Sequence, residues 1–342
     1  LEVNYRCEPP IVEAAMRLIA HNEERFPKKI CAGKSGKQKV RFQYFEDCYK
    51  ENAFLAEDIR QTVQNGVPLS EIAVLFRTNM QPRALMEYMV SANLAFQTKD
   101  RIPDIYEHWI ARDFFTYIRI AQGSDSRADF LSIMNRPKRY IGRDSLPDET
   151  VCFDEWVKLY EEQPWIAERI EKLWYDLKHL SRLSPYAAIN YIRRGIGYDD
   201  YLAEYAEYRN ANKEDFYEVA DEILASAKGY RTFEEWFAHI EEYRQELKRL
   251  AQEKRRNQNA VTFATLHSAK WLEFTKVYLI DVNEGVMPYK KAVLKQDVEE
   301  ERRLFYVGMT RAKESLTICS VKKMRGKEVE LSRFIKEVGK EP

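Results

Sequence analysis

No GxxxxGK(S/T) segment occurs in the 342 residues, so the chain has no ordinary phosphate loop of its own. Net charge is lacking too, because Lys and Arg total 55 and so do Asp and Glu. That balance excludes a uniformly basic coat for nucleic acid while leaving room for local basic patches. Cysteine is scarce and scattered (Cys7, Cys31, Cys48, Cys152, Cys319), never spaced as CxxC. Such spacing argues against a zinc site and fits a reducing compartment. No apolar run approaches the ~20 residues of a membrane span. No basic segment followed by an apolar one opens the chain, as a signal peptide would. An initiator Met is missing, so the sequence reads as an excised piece or a processed product.

What is present suffices for about two domains, with 45% hydrophobic and 13% aromatic residues. Three textures follow one another. Up to about Ile105, short apolar runs alternate with amphipathic stretches. Val40–Phe45 alternates like a strand, and Glu51–Gln64 reads as a helix with Phe54, Leu55, Ile59 and Val63 on one face. Ile72–Phe76 is continuously apolar, as in a buried parallel strand, and Pro82–Ala92 reads as another helix. From Tyr106 to about Gln258 strand signals vanish. Amphipathic stretches such as Asp154–Tyr160 and Phe233–Ile240 predict an all-helical unit, with breaks at Gly123–Ser126, Ser184–Pro185, Gly195–Gly197 and Gly229. The run Glu246–Asn257 reads as a charged helix leading out. Strands return at Val261–Thr265, Val277–Ile280 and Leu316–Val321, with a helix over Val298–Lys313. The order predicts one α/β domain with a parallel sheet, made from both ends of the chain and interrupted by a helical insertion.

Several segments carry candidate chemistry. Ala32-Gly-Lys-Ser-Gly-Lys37 fails as a phosphate loop, because its glycines are too close and Gln38 follows Lys37; it reads as a solvated turn. Glu299–Lys313 has a helical face of Leu304, Gly308 and Arg311. Gly308 permits close approach of a neighbour, and an Arg at a helix end beside a cleft can neutralise charge on γ-phosphate oxygens. Taken alone, the same segment reads as a solvated helix of Glu–Arg pairs. Thr265–Phe274 joins two strands and is expected at a strand's C-terminal edge, where open α/β sheets bind ligands. Arg77 follows the Ile72 strand and suits a phosphate, with Thr78 and Asn79 as backbone or sugar contacts or as helix N-caps. Asn135–Asp144 is basic, with Lys138, Arg139 and Arg143 around a Gly turn. It suits a phosphate backbone or a solvated loop.

Two of these segments, together with Asn4-Tyr5-Arg6 ahead of them, resemble in order motifs of superfamily 1 DNA helicases of the UvrD/Rep/PcrA type. Asn4-Tyr5-Arg6 is similar to motif IV, with Cys7 where the family has Ser. Thr265-Leu-His-Ser-Ala-Lys-Trp-Leu-Glu-Phe274 is similar to motif V, with Trp271 where the family has Gly. Glu299–Lys313 is similar to motif VI. The resemblance implies a second RecA-like motor domain, 1–105 plus 257–342, interrupted by a helical domain, 106–256. It implies that Tyr5 stacks on adenine, that Glu273 bonds the ribose, and that Arg6 and Arg311 meet the γ-phosphate of Mg-ATP. It implies further that Thr265 and His267 line the DNA track, that Arg77, Thr78 and Asn79 hold single-stranded DNA, and that Lys138, Arg139 and Arg143 meet duplex at a junction. In that turn Tyr140 stands where the family has the first Gly of G-I-G.

The implied parent is a 3′→5′ translocating, ATP-dependent DNA helicase of the cytoplasm, associated with the nucleoid and not with a membrane. Its phosphate loop and Mg2+ ligands belong to an N-terminal motor half not found here, so this piece alone is expected to be inactive as an ATPase. No metal site is expected in the piece itself. Two alternatives stay open. Trp271, if it resists the backbone path that Gly permits, marks a degenerate helicase-like subunit. Exposed aromatics within 154–175 instead mark a partner-docking module.

Overall fold

Ile72–Phe76 and Val261–Thr265 are buried at every position, as strands covered on both faces must be. They lie side by side in the sheet of a computed structural model that describes residues 3–24, 30–36, 38–100, 104–253 and 259–339. Leu1, Glu2, Lys37 and Lys254–Asn257 lie outside the described residues. The chain divides into two compact units, 1–103 with 245–342, and 104–244.

The first unit begins with β1 (Val3–Asn4), α1 (Pro9–Ile19) and β2 (Cys31–Ala32), the two strands pairing in parallel. β3 (Arg41–Asp47), α2 (Cys48–Gln64), β4 (Ile72–Phe76), α3 (Arg83–Ser91) and β5 (Phe96–Thr98) follow. The second unit contributes α4 (Trp109–Ala121), α5 (Arg127–Ile133), α6 (Phe153–Lys158), α7 (Pro164–Leu180), α8 (Pro185–Arg194), α9 (Tyr198–Tyr208) and α10 (Lys213–Ser226). α11 (Phe233–Glu253) leads out of it. β6 (Val261–Thr265), β7 (Phe274–Leu279), α12 (Lys295–Met309), β8 (Ala312–Met324), β9 (Lys327–Glu328) and α13 (Arg333–Glu337) complete the first unit.

The main sheet has the order β3-β8-β7-β4-β6-β5, with every neighbouring pair parallel, and β9 adds antiparallel to β8. This is the expected α/β fold, a mostly parallel sheet interrupted in sequence by a helical unit. Alternate residues face opposite layers. Ala73, Leu75, Val277, Leu279, Leu316 and Ile318 join Ile11, Leu18, Phe305, Met309 and Phe334 in one apolar cluster, so α1, α12 and α13 cover that face. Lys276 and Tyr278 turn the other way, to α2. There Asp58 accepts from Lys276 Nζ (2.7 Å), Tyr278 OH (2.6 Å) and Arg41 Nη1 (2.9 Å). Burial pushes the Asp58 carboxyl up, but those three donors outweigh it and hold it below its usual range.

α12 stops four residues short of the expected Lys313. Thr310 leaves helical geometry and Arg311 N bonds Gly308 O at 3.1 Å in a tight turn, which delivers Arg311 directly to the start of β8. In the second unit, buried Asp113 on α4 accepts from Arg136 Nη1 (2.7 Å) and Tyr198 OH (2.5 Å). Gly123, Gly197 and Gly229, with φ of 110°, 89° and 96°, stand at breaks between helices.

Candidate functional site

Glu273 immediately precedes β7 and Arg311 immediately precedes β8, so both stand at the N-terminal edge of the sheet. The expectation of a C-terminal-edge loop is corrected here: Thr265–Phe274 begins at the C-terminal end of β6 and crosses to the opposite edge. Arg6 reaches the same edge and pairs with Glu273. Asn4 sets its position, because Asn4 Oδ1 accepts from the main-chain N–H of Arg6 (2.8 Å) and Cys7 (3.0 Å) and turns the chain out of β1. Arg6 Nε is buried with no hydrogen-bond partner among the described residues. Tyr5 is exposed and its ring lies over Gly33, where an added Cβ would come within 2.6 Å of Tyr5 Cδ1. The Ala32–Gly33 turn is thus a seat for Tyr5.

Arg311 is only 7% exposed. Its Nη1 donates to Lys270 O (2.6 Å) and Leu272 O (3.3 Å), Nε to Val307 O (2.9 Å) and Nη2 to Thr310 Oγ1 (3.2 Å). A guanidinium has five N–H groups, so one on Nη2 is left over. Burial lowers the Arg311 pKa, and the like charge of Arg6 adds to that. Burial likewise pushes the nearby Cys7 thiol up. The residue between the two clamped carbonyls, Trp271, is 88% exposed. It closes a 3-10 turn (Ser268–Trp271) and is not among the positive-φ residues. A large side chain is therefore tolerated there and points outward.

At the C-terminal edge, Thr265 N–H and Oγ1 bond Asp100 at 2.7 and 3.2 Å, and Ser268 Oγ also bonds Asp100. His267, next to this network, is exposed. Arg77, at the end of β4, meets Glu301 through Nε (3.0 Å) and Nη2 (2.8 Å) and lies 5.1 Å from the Tyr289 ring centroid. Thr78 and Asn79 are not N-caps, a correction: α3 starts at Arg83 behind Pro82, with no side-chain cap. Gln81 Oε1 instead accepts from the N–H of Arg77 (2.8 Å) and Thr78 (2.7 Å), and Asn79 Oδ1 is buried without a partner among the described residues.

The solvated reading of Glu299–Lys313 holds only on one side, where Arg303 pairs with exposed Glu300 at 2.9 Å. Glu299, Glu301 and Arg302 are buried, and Arg302 bonds Glu337 (2.7 Å) and Asn22 (2.6 Å). Gly308 seats α12 against Leu266 and Leu279, with an added Cβ only 2.3 Å from Leu266 Cδ2. α12 therefore touches both edges, through Glu301 near its middle and Arg311 just past its end.

In the second unit, Asn135 organises the basic loop. Its Oδ1 accepts from the N–H of Arg139 (3.2 Å) and Ile141 (3.1 Å), and its Nδ2 donates to Ile141 O (2.8 Å). Lys138 and Arg143 are exposed. Arg139 is a correction. At 7% exposure it points inward to Ile133 O, Met134 O, Pro137 O and Tyr117 OH; the carbonyls of Ile133 and Met134 end α5 and need donors. Of the aromatics within 154–175, Trp156 is buried while Trp165, Trp174 and Tyr175 are exposed.

The UvrD-like helicase C-terminal domain profile matches residues 1–151 and 168–323, most of the chain. The chain belongs to that family. Among its relatives, a putative ATP-dependent DNA helicase YjcD of Bacillus subtilis is 27% identical over 98% of this chain and 45% of that protein. ATP-dependent DNA helicase PcrA of Staphylococcus epidermidis is 30% identical over 99% of this chain and 49% of its own. ATP-dependent DNA helicase Rep of Salmonella typhimurium is 27% identical over 99% and 54%. The chain thus spans about half the length of the relatives it matches. Glu301, Gln81 and Asp100 are partners in this UvrD-like domain that sequence reasoning did not single out. Glu301 lay inside the quoted motif, but nothing in a run of three glutamates says which one turns inward. Among the described residues, no group of three or more His, Cys, Asp or Glu could hold a metal ion, and no helix is long and apolar enough to cross a membrane.

Proposed function

We propose that this chain is the second motor half of an ATP-dependent 3′→5′ DNA helicase or translocase, completing an ATP site whose phosphate loop and Mg2+ ligands lie in an N-terminal motor half. The observation that carries it is the meeting of Arg6, Glu273 and Arg311 at one sheet edge. The unpartnered Arg6 Nε and the spare N–H of Arg311 suit a polyphosphate, and the exposed Tyr5 ring suits a base. ATP with Mg2+ would supply the phosphoryl group. In this reading Arg6 and Arg311 stabilise charge on its γ-oxygens, Glu273 bonds the ribose and Tyr5 stacks on adenine.

The opposite edge, with Arg77, Thr78, Asn79, Thr265 and His267, takes single-stranded DNA; Lys138 and Arg143 take duplex phosphates at a junction, positioned by Arg139. Arg77 exchanges part of its Glu301 contact for phosphate in that step, and α12 transmits the change toward Arg311. The domain bounds expected from the sequence are kept: a motor domain of 1–105 plus 257–342 around a helical domain of 106–256. The degenerate-subunit alternative rested on Trp271 and loses that support, since Trp271 sits outside the clamp. The test is DNA-stimulated ATP hydrolysis by the full-length parent. Arg311→Ala should lower kcat about 10³-fold with DNA affinity retained. Unchanged turnover, or robust Mg2+-dependent turnover by residues 1–342 alone, overturns the reading.

A further inference from the structure

Tyr140 adopts φ of +59°, a left-handed conformation that is a true outlier for a bulky residue. Asn135 enforces it by bonding the main chain on both sides, at Arg139 and Ile141. The strain is not repaid by burial, because the Tyr140 ring is 57% exposed. Strain that a fold holds in place at an exposed side chain points toward a functional position.

The ring is not alone. Trp165, at the start of α7 and 49% exposed, meets it edge-on with centroids 6.3 Å apart. The Arg169 guanidinium lies 5.2 Å from the Tyr140 centroid and 4.9 Å from that of Trp165. Arg169 is itself fixed by an Nη1 bond to Arg139 O at 3.1 Å. Lys138 Nζ stands 4.6 Å from the Tyr140 centroid. Arg143 is exposed three residues beyond. Two open aromatic rings, interleaved with cations, form a surface suited to a flat π-system that carries negative charge beside it. An unpaired nucleobase with its flanking phosphate has that chemistry. An apolar peptide does not need the cations, and a paired base offers no free face.

We propose that Tyr140 and Trp165, with Lys138, Arg143 and Arg169, form a stacking subsite for one unpaired nucleobase of DNA at a single-strand/double-strand junction. This deepens the DNA-binding reading above and rests on it. The subsite differs from a duplex grip, because its selective contact is to a base released from pairing.

Tyr140→Gly tests it cleanly, since Gly accepts the same backbone angle without strain. The full chain is titrated with fluorescent forked DNA, with blunt duplex of the same length, and with forks carrying 2-aminopurine at the first unpaired position. We expect Tyr140→Gly to keep or raise Tm and to weaken fork binding about tenfold. Blunt-duplex binding should hold, and the quenching of 2-aminopurine seen with the unaltered chain should disappear. Trp165→Phe, which keeps an aromatic ring, should retain most of the fork affinity. Equal fork affinity and equal quenching for Tyr140→Gly overturn the subsite while leaving DNA binding intact. An equal loss on fork and blunt duplex shows a backbone contact and also overturns it. A lowered Tm makes the ring structural and overturns the subsite as well. If the unaltered chain binds neither DNA, the DNA reading itself falls and the subsite with it.

Discussion

Arg77, at the end of β4, and Glu301, in α12, are joined by a two-pronged ion pair with N–O distances of 3.0 and 2.8 Å. Glu301 Oε2 also accepts from Tyr289 N–H at 3.1 Å, so one carboxylate ties a strand end, a loop and a helix together. Both side chains are mostly buried. Arg77→Met or Glu301→Met alone should cost about 2 kcal/mol, since each leaves a partly buried charge unpaired. The double variant should be less damaging than the two losses added together. Denaturant unfolding of the four proteins checks this; strict additivity would mean the pair is not coupled.

Gly308→Ala sets two effects against each other. Ala gains about 1 kcal/mol of helix propensity. Its Cβ would fall 2.3 Å from Leu266 Cδ2 and 3.2 Å from Leu279 Cδ2 in the sealed core, and overpacking there costs typically about 1–3 kcal/mol. The crowding should win. Thermal unfolding should show a net loss, and amide exchange should quicken at Leu266 and Arg311, which α12 holds in place.

Trp271→Ala and Arg311→Ala should behave as opposites. Trp271 is exposed in an unstrained turn, so its loss should change stability by no more than about 0.5 kcal/mol. Removing Arg311 strands the carbonyl oxygens of Lys270 and Leu272, and should cost about 2 kcal/mol or more. A large loss from Trp271→Ala, seen as a drop in Tm, would mean its ring packs on the chain after all.

Glu51 gives a pH signature. It is buried beside Asp281, and burial, with the Asp281 charge second, raises its pKa well above the usual carboxylate value. The folded state then holds a proton that the unfolded state gives up, so stability falls as pH rises from the unfolded pKa through the folded one. Glu51→Gln mimics the neutral acid and removes that slope. Its Tm should exceed that of the unaltered chain at pH 8 by more than at pH 5. Equal differences at the two pH values would refute the assignment.

Much of the fold was legible because its strands are short and uniformly apolar. Ile72–Phe76 and Val261–Thr265 coincide with their sequence readings residue for residue, and the glycine breaks between helices fall where expected. α1 is not among the elements the sequence predicts, although Pro9 and Pro10 open it and Ile11, Val12, Ala14, Ala15 and Leu18 form its buried side. The two-residue strands β1 and β2 are too short for any period to register. At the candidate site, motif strings identified the loops but not the direction of each charge. Arg139 and Arg143 look alike in sequence. One satisfies the carbonyls at the end of α5 and the other is left in solvent, and that choice depends on where a helix ends in space.

The strand order carries a consequence for the order of synthesis. β3 pairs with β8, β4 with β6 and β7, and β5 with β6. The three early strands of the main sheet never pair with one another. As the chain leaves the ribosome they must wait, edges open, through the whole of 104–244 before any partner emerges. The helical unit, whose core is its own, can condense first. The sheet is sealed last, when β8 arrives, by the same stretch of chain that brings Arg311 to its place.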